Sequence, residues 1–139
     1  MAGIAKLRAV VLDCQDPVGL ARFYGALVGG EVTEHDGGDW VTLRDGADVR
    51  LSFQRVDDYQ PPDWPSGDKP QQFHIDVTVE DVDIAEKQVL ALGATRHAVQ
   101  PGIEGGENWR VYLDPAGHPS ASVGTSRRAI DCHVAVLAA

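Results

Sequence analysis

The sequence is short of positive charge, of cysteine and of long apolar runs, and each shortage excludes a class of protein. Lys and Arg number 12 against 21 Asp and Glu, which gives a formal net charge of −9 over 139 residues. Binding to duplex nucleic acid or to an anionic membrane surface requires clustered positive charge. We therefore expect no nucleic acid and no membrane among the partners of this protein.

Cysteine use and the lack of apolar runs indicate a reduced, soluble setting. Cys14 and Cys132 are the two cysteines, which is too few for a disulfide framework. Cys132 and His133 are adjacent but have no further ligands at zinc spacing. No run approaches the roughly 20 apolar residues of a membrane span, and Ala9–Leu12 is too short for the apolar part of a signal peptide. We expect a cytoplasmic protein.

The order of predicted elements repeats itself. The first half reads as a strand, a helix and three strands, at Leu7–Asp13, Asp16–Val28, Glu31–His35, Asp39–Arg44 and Asp48–Gln54. The second half has the same order, at Gln72–Val79, Asp81–Leu92, Ala94–Val99, Asn108–Leu113 and Pro119–Val123, with a glycine-rich turn at Pro101–Gly106. Alternating apolar residues predict the strands, and apolar residues three and four apart predict the helices.

Fixed offsets support an internal duplication. Asp81 follows Asp16 by 65 residues, and Trp109 follows Trp40 by 69 residues. The predicted fold class is therefore α+β, with two βαβββ modules at about 7–56 and 71–124. Residues 57–70 hold four of the eight prolines and connect the modules. The tail 125–139 adds an edge strand or forms a dimer contact.

Four stretches resemble the vicinal oxygen chelate superfamily, which includes glyoxalase I, bleomycin resistance proteins, fosfomycin resistance enzymes and extradiol dioxygenases. The stretches are DPVGLARFYGALVGG from Asp16, FHIDVTVEDVD from Phe73, LGA from Leu92 and YLDPAGHP from Tyr112. They are similar in particular to the glyoxalase-like branch. The resemblance implies two modules that form a partly open β-barrel-like cavity. It also implies, in metal-using members, a divalent cation held by four side chains.

The resemblance places those four ligand positions on Ala9, Ser52, His74 and Ala121. Alanine cannot ligate a metal, and a serine hydroxyl is a poor ligand for the cations concerned. Moving the alignment by one or two residues does not rebuild a set of His and Glu. We therefore expect no metal and no cofactor, unless a partner chain completes the site.

The candidate ligand-binding residues are His74, Arg50, Ser52, Gln54 and Trp64. His74 is either a polar contact or proton carrier in the cavity, or a remnant of a metal site. Arg50, Ser52 and Gln54 alternate along one strand and either line the cavity or face water. Trp64 either closes over a ligand or fixes the connection to the body of the protein.

The function predicted from these residues is binding of a small molecule without metal, similar to the bleomycin resistance proteins, by a homodimer. One alternative is a metal-dependent lyase, isomerase or dioxygenase of the same superfamily, with a metal-free lyase or dehydratase that uses His74 as acid–base as a minor variant. Another is a structural dimer with a vestigial cavity. No catalytic residue is assigned, because the same fold supports many chemistries.

Overall fold

The computed structural model describes residues 3–125. The predicted edge strand or dimer contact in the tail falls on residues beyond Thr125 and lies outside the described part of the chain. The chain divides into two compact units after Tyr59. We use the names module 1 for residues 3–59 and module 2 for residues 60–125, so that most of the proline-rich connection belongs to module 2.

Module 1 is a four-stranded sheet with one long helix. Its elements are β1 (Val10–Cys14), α1 (Pro17–Val28), β2 (Glu31–His35), a short 3-10 turn η1 (Asp36–Gly38), β3 (Trp40–Asp45) and β4 (Asp48–Arg55). The strand order is β1-β4-β3-β2, with β1 parallel to β4 and the other pairs antiparallel. The predicted βαβββ order of the first half is confirmed.

Module 2 has the same chain path. Its elements are β5 (Ile75–Val79), α2 (Val82–Ala91), β6 (Thr95–Arg96), α3 (Pro101–Glu104), β7 (Trp109–Leu113) and β8 (Pro119–Gly124). The strand order β5-β8-β7-β6 matches that of module 1 strand by strand. The predicted α+β fold of two βαβββ modules is confirmed. The predicted strand Ala94–Val99 is only two residues long, and the predicted glycine-rich turn is largely the short helix α3.

The strand registers reproduce the offsets of the sequence repeat. Trp40 pairs with Gln54 in module 1, and Trp109 pairs with Val123 in module 2. The separation is 69 residues in both strands. Val10 pairs with Leu51 and Ile75 with Ser120, so the first strands are offset by 65. The duplication is therefore present in the hydrogen-bonded ladders as well as in the sequence.

Both long helices begin where an aspartate supplies a cap. The Asp16 carboxylate accepts a hydrogen bond from the Gly19 amide at 3.0 Å. The Asp81 carboxylate accepts from the amides of Asp83 and Ile84 at 2.9 Å. These bonds satisfy backbone donors that have no partner inside a helix. The sequence signal that located both helices therefore has a direct structural cause.

One irregularity separates the two sheets. The register between β3 and β4 shifts between Leu43, which pairs with Leu51, and Arg44, which pairs with Val49. Arg50 is the extra residue of this β-bulge. A bulge interrupts the alternation of side chains along a strand, and the ladder of β7 with β8 shows no such shift.

The helix of module 1 packs on an apolar, aromatic sheet face. Tyr24 on α1 stacks on Phe53 of β4 with ring centroids 5.7 Å apart, and Phe23 meets Tyr24 edge to face at 5.1 Å. Val41 and Leu43 of β3 are completely buried. Burial of large apolar side chains is the main stabilising contribution to such a core.

The helix of module 2 packs on a sheet face with far more polar groups. The Tyr112 hydroxyl donates to Glu86 on α2 at 3.1 Å, and Arg110 lies 3.4 Å from Asp83 on the same helix. Ser120 and Ser122 of β8 are the buried cross-strand neighbours of these two residues. No helix among residues 3–125 is long and apolar enough to cross a membrane.

Candidate functional site

A concave space of about 600 Å³ lies on the sheet face of module 1 that α1 does not cover. We call it the module 1 cavity. The strands β3 and β4 supply Trp40, Thr42, Arg44, Val49 and Ser52 to its lining. β1 and the residues before it supply Arg8, Ala9 and Val11, and the end of β2 and the start of η1 supply His35 and Asp36.

The sheet register orders these side chains along the cavity. Thr42 pairs with Ser52 at the centre, and Trp40 and Arg44 lie two residues to either side of Thr42 on β3. His35 pairs with Trp40, which places both rings at one end. Arg44 pairs with Val49 at the other end. The module 1 cavity therefore has an aromatic end, a hydroxyl-bearing centre and an arginine end.

The central hydroxyls are held in place by burial. Thr42 and Ser52 are 5% and 2% exposed, and the Thr42 hydroxyl shares a 3.2 Å hydrogen bond with Nε2 of His35. Ser52 lies directly across the strand pair from Thr42 in the cavity lining. A hydroxyl can donate one hydrogen bond and accept two, so Ser52 has capacity to bind a ligand.

The structure places Ser52 at the cavity but not its two predicted companions. The guanidinium of Arg50 contacts the Val28 carbonyl at the end of α1 at 3.3 Å and pairs with Asp45. Arg50 therefore points to the helix side of the sheet, because the bulge interrupts the alternation. The prediction that Arg50 shares a face with Ser52 is wrong. Gln54 is exposed and does not contribute to the cavity lining.

His74 belongs to module 2 and directly precedes β5. The predicted strand began at Gln72, whereas β5 begins at Ile75. The imidazole Nε2 lies 3.4 Å from a carboxylate oxygen of Asp76, and both side chains are about one-third exposed or less. His74 therefore has a local acidic partner two residues along the chain.

Trp64 is a buried packing residue in module 2. It is 9% exposed and forms a cluster with Trp109, Val111 and Ala121, with Val99 and Val123 packed against it. We call this group the Trp64 cluster. It covers the face of the β7–β8 sheet that is opposite α2. These contacts agree with the interpretation that Trp64 fixes the connection to the body of the protein. The Trp64 indole N–H has no hydrogen-bond partner within residues 3–125.

A further contact on this face comes from α3. A Cβ atom on Gly102 would lie 2.5 Å from the Trp109 carbonyl oxygen and 2.7 Å from its indole Cδ2. The absence of a side chain at Gly102 therefore allows α3 to approach Trp109. Among residues 3–125, the repeat-related Trp40 of module 1 has no such cover and is half-buried at the cavity.

The four positions that the resemblance assigns to a metal do not supply a suitable donor set. Ala9 directly precedes β1, and Ser52 lies in β4 next to it. His74 directly precedes β5, and Ala121 lies in β8. A single imidazole and one serine hydroxyl do not match the His and carboxylate ligands that divalent transition metals require. Within residues 3–125, no three His, Cys, Asp or Glu side chains are grouped as metal ligands would be.

The residues missed from sequence are the lining arginines and the aromatic end. The alternation of Trp40, Thr42 and Arg44 with buried Val41 and Leu43 is a period-two pattern, which could have assigned these three residues to one face. Nothing in the sequence indicated that Arg8 and Arg44 lie at the same end of the sheet.

One titratable group beside α2 is strongly perturbed. Burial of Tyr112, with a smaller contribution from the neighbouring Glu86 carboxylate, raises the pKa of its hydroxyl well above the usual range. The neutral phenol is the form that donates to Glu86. Tyr112 therefore has a structural role on the helix side of module 2.

Comparisons with solved structures place this fold among known proteins. A glyoxalase/bleomycin resistance protein/dioxygenase family enzyme from Burkholderia phytofirmans PsJN matches with a TM-score of 0.61 and 16% identity, over 85% of this chain and 97% of that chain. The fosfomycin resistance protein FosX from Listeria monocytogenes, solved with Mn(II) and 1S,2S-dihydroxypropylphosphonic acid, matches with a TM-score of 0.63 and 17% identity, over 89% and 94%. A glyoxalase-related enzyme from Fulvimarina pelagi matches with a TM-score of 0.57 and 17% identity, over 86% and 87%.

Sequence comparison gives the family. No curated protein matches the chain. The sequence profile of the glyoxalase-like domain matches residues 9–121, which include both modules from the approach to β1 into β8. Together with the duplicated βαβββ fold, this match shows that the chain belongs to the glyoxalase-like domain family of the vicinal oxygen chelate superfamily.

Proposed function

We propose that this protein binds a small organic molecule in the module 1 cavity without a metal ion. The observation that carries the proposal is the open, partly polar face around Ser52. A volume of about 600 Å³ is within the range of about 300–1,000 Å³ for small-molecule pockets. Its lining combines apolar surface with a few fixed polar groups, which is typical of such sites.

Metal independence is the second part of the proposal. It is supported by the chemistry of Ala9, Ser52, His74 and Ala121 rather than by any ion count. FosX was solved with Mn(II), so the superfamily includes metal-binding members. A change from ligating to non-ligating residues at these positions favours sequestration of a ligand, as in the bleomycin resistance proteins, over Lewis-acid catalysis.

We also propose that the protein is a cytoplasmic homodimer that does not bind nucleic acid. The net charge of −9 supports the absence of nucleic acid binding. The low cysteine content supports a reducing compartment. Light scattering during size-exclusion chromatography tests the dimer, and a mass of a single chain at all concentrations would contradict it.

A thermal-shift screen tests ligand binding. A ligand that binds the native state raises the melting temperature, so the screen should contain neutral, cationic and anionic aromatic metabolites. Ser52→Leu should abolish the shift, because it replaces the central hydroxyl with a larger apolar side chain. Gln54→Leu adds the same side chain to the same strand outside the lining and should preserve the shift. A shift that survives Ser52→Leu would place the ligand elsewhere, and no shift with any compound would favour the structural dimer.

Elemental analysis tests metal independence. Protein purified without chelator should contain far less than one equivalent of any divalent metal, and His74→Ala should not change the amount. Near-stoichiometric metal that is lost in His74→Ala would overturn metal independence and favour the metal-dependent enzyme.

A further inference from the structure

We propose that the module 1 cavity selects aromatic carboxylates, with the carboxylate held by Arg8 and Arg44 and the ring placed at Trp40. This inference rests on the proposed function and specifies its ligand. Four features of module 1 support it: the pairing state of its arginines, the reach of the two lining arginines, the order of groups along β3, and the position of the one acidic lining residue.

The first feature is that the lining arginines lack carboxylate partners. Seven arginines lie between residues 3 and 125, and four of them pair with Asp or Glu. Arg8, Arg22 and Arg44 form no ion pair within the described residues, and Arg8 and Arg44 both line the cavity. In a chain with 21 acidic residues, two unpaired guanidinium groups at one cavity indicate attraction for an anion from outside the chain.

The second feature is that the two guanidinium groups can reach one anion. Arg44 pairs with Val49 across β3 and β4, and the chain before β1 runs on the other side of β4 because Val10 pairs with Leu51. The backbones at Arg8 and Arg44 are therefore about two strand spacings apart, roughly 10 Å. Arginine side chains bridge this distance, and guanidinium groups bind carboxylates through paired hydrogen bonds.

Arg44 is already oriented by its own module. Its side chain is half-buried, and Nη1 donates to the Ala47 carbonyl at 3.4 Å. That single bond leaves most of the five guanidinium donors available to a ligand.

The third feature is the order of groups along the cavity. Arg44 lies four positions after Trp40 on β3, a distance of about 14 Å at about 3.4 Å per residue. Between them lie the hydroxyls of Thr42 and Ser52. A ring linked to a carboxylate by a short chain spans this distance, with the ring against the half-buried indole and polar substituents near the hydroxyls.

Asp36 gives the site its direction. It lines the cavity next to His35, which pairs with Trp40 at the aromatic end. The Asp36 carboxylate would repel a negative charge of the ligand at the aromatic end, whereas Arg8 and Arg44 attract a negative charge at the arginine end. The ligand we infer therefore carries its negative charge at one end only.

Binding of matched acids and amides tests the inference. The probes are phenylacetate, indole acetate, naphthoate and biphenylcarboxylate, each compared with its neutral amide, by calorimetry and thermal shift. We expect at least one acid to bind and its amide to bind at least about tenfold more weakly, a factor that corresponds to about 1.4 kcal/mol. A higher salt concentration should weaken binding of the acid but not binding of the amide.

The arginine variants have a matched control within the chain. Arg8→Gln and Arg44→Gln should each lower the affinity for the acid by about tenfold or more. Arg44→Lys should lower this affinity less than Arg44→Gln does. Arg22→Gln removes the same charge from an exposed position of α1 outside the lining and should leave affinity within about twofold. Unchanged melting temperatures of the free variants would show that each one folds.

Fluorescence locates the ring. Trp64 and Trp109 are buried together in module 2, while Trp40 lines the cavity. The bound acid should change the emission of the wild type, and Trp40→Phe should remove that change.

Several outcomes would overturn the inference. Amides that bind as tightly as acids would show that the anion is not recognised. Equal weakening by Arg22→Gln would reduce the effect to overall charge. If neutral compounds raise the melting temperature, Ser52→Leu removes that shift and no acid of the series binds, the proposed function stands and this inference fails. If no compound of either kind binds, both fail.

Discussion

The two modules share one chain path but have opposite polarity on their sheets. At repeat-related positions, Val41, Leu43, Leu51 and Phe53 of module 1 correspond to Arg110, Tyr112, Ser120 and Ser122 of module 2. The apolar set faces the helix in module 1, and the polar set faces the helix in module 2. A duplicated backbone therefore does not fix which face of its sheet forms the core.

The faces opposite the helices are inverted in the same way. Thr42 and Ser52 of the open face correspond to Val111 and Ala121 of the Trp64 cluster. Module 1 leaves this face open as a cavity, whereas module 2 covers it with Trp64 and α3. The same surface of the repeat is therefore accessible in module 1 and part of the packed core in module 2.

Removal of the Trp64 side chain that covers the sheet of module 2 should destabilise the protein most. Trp64→Ala should lower the free energy of unfolding by about 3 kcal/mol or more, because truncation of a buried tryptophan leaves a cavity in the core. Trp40→Ala removes the same side chain from an open face and should cost less than half as much. Urea denaturation measures both, and equal losses would refute the contrast between the modules.

Crowding of α3 against Trp109 should have the next largest effect. Gly102→Ala places a methyl group in contact with the Trp109 carbonyl and indole, so that α3 must move away from the sheet. We expect a loss of about 1–3 kcal/mol, as for other overpacked sites. Ile103→Ala in the same helix alters a side chain that is 42% exposed and is the control. A larger loss for Ile103→Ala would contradict this packing role of Gly102.

The polar helix face of module 2 should respond to alkaline pH. The pKa of the Tyr112 hydroxyl is higher in the folded protein than in the unfolded chain. The contribution of Tyr112 to stability is therefore complete at pH values below the unfolded pKa of about 10. This contribution is lost as pH rises above that value, because the unfolded chain releases the proton more readily. Tyr112→Phe should cost about 1 kcal/mol at neutral pH and should flatten the alkaline fall.

Denaturation midpoints between pH 8 and pH 11 test this expectation (the range brackets the ordinary tyrosine value of about 10). Identical alkaline slopes for the wild type and Tyr112→Phe would show that Tyr112 does not contribute to the pH dependence. Leu43 occupies the related position in module 1, so Leu43 cannot contribute to the slope.

The smallest effect is expected at the bulge of module 1. Arg50 is exposed and pairs with exposed Asp45, so Arg50→Ala should change stability by less than about 1 kcal/mol. Ligand binding should remain unchanged, because Arg50 lies on the helix side. Calorimetry tests this expectation. If Arg50→Ala weakens ligand binding as much as Arg44→Gln does, then Arg50 lies on the cavity face with Ser52, as simple alternation along β4 predicts.

Much of the fold follows from the sequence because its signals are local. Asp16 and Asp81 cap the helices, and the offset between Trp40 and Trp109 reveals the repeat. The alternation around Ser52 also places that residue on a strand. Each signal depends on residues that lie within one or two elements.

The parts that sequence did not predict depend on contacts between elements. The extra residue at Arg50 is visible only in its pairing with β3, and it changed the assignment of a candidate site residue. Arg8 and Arg44 are 36 positions apart in the chain and lie at one cavity only because β1 adds beside β4. The helix at Pro101–Glu104 forms against Trp109, which local glycine content did not indicate.

The position of Trp64 in the chain has a consequence for how the repeat could be divided. The residue that shields the second sheet precedes that sheet's first strand by eleven positions, within a stretch that composition alone would label as a tether. A fragment that starts at Ile75 would expose Trp109, Val111 and Ala121 to water and would aggregate. A fragment that starts at Gln60 would retain Trp64 and therefore the cover of these residues. Module 2 therefore depends on residues that precede its first strand to shield its sheet, whereas the corresponding face of module 1 is open and partly polar.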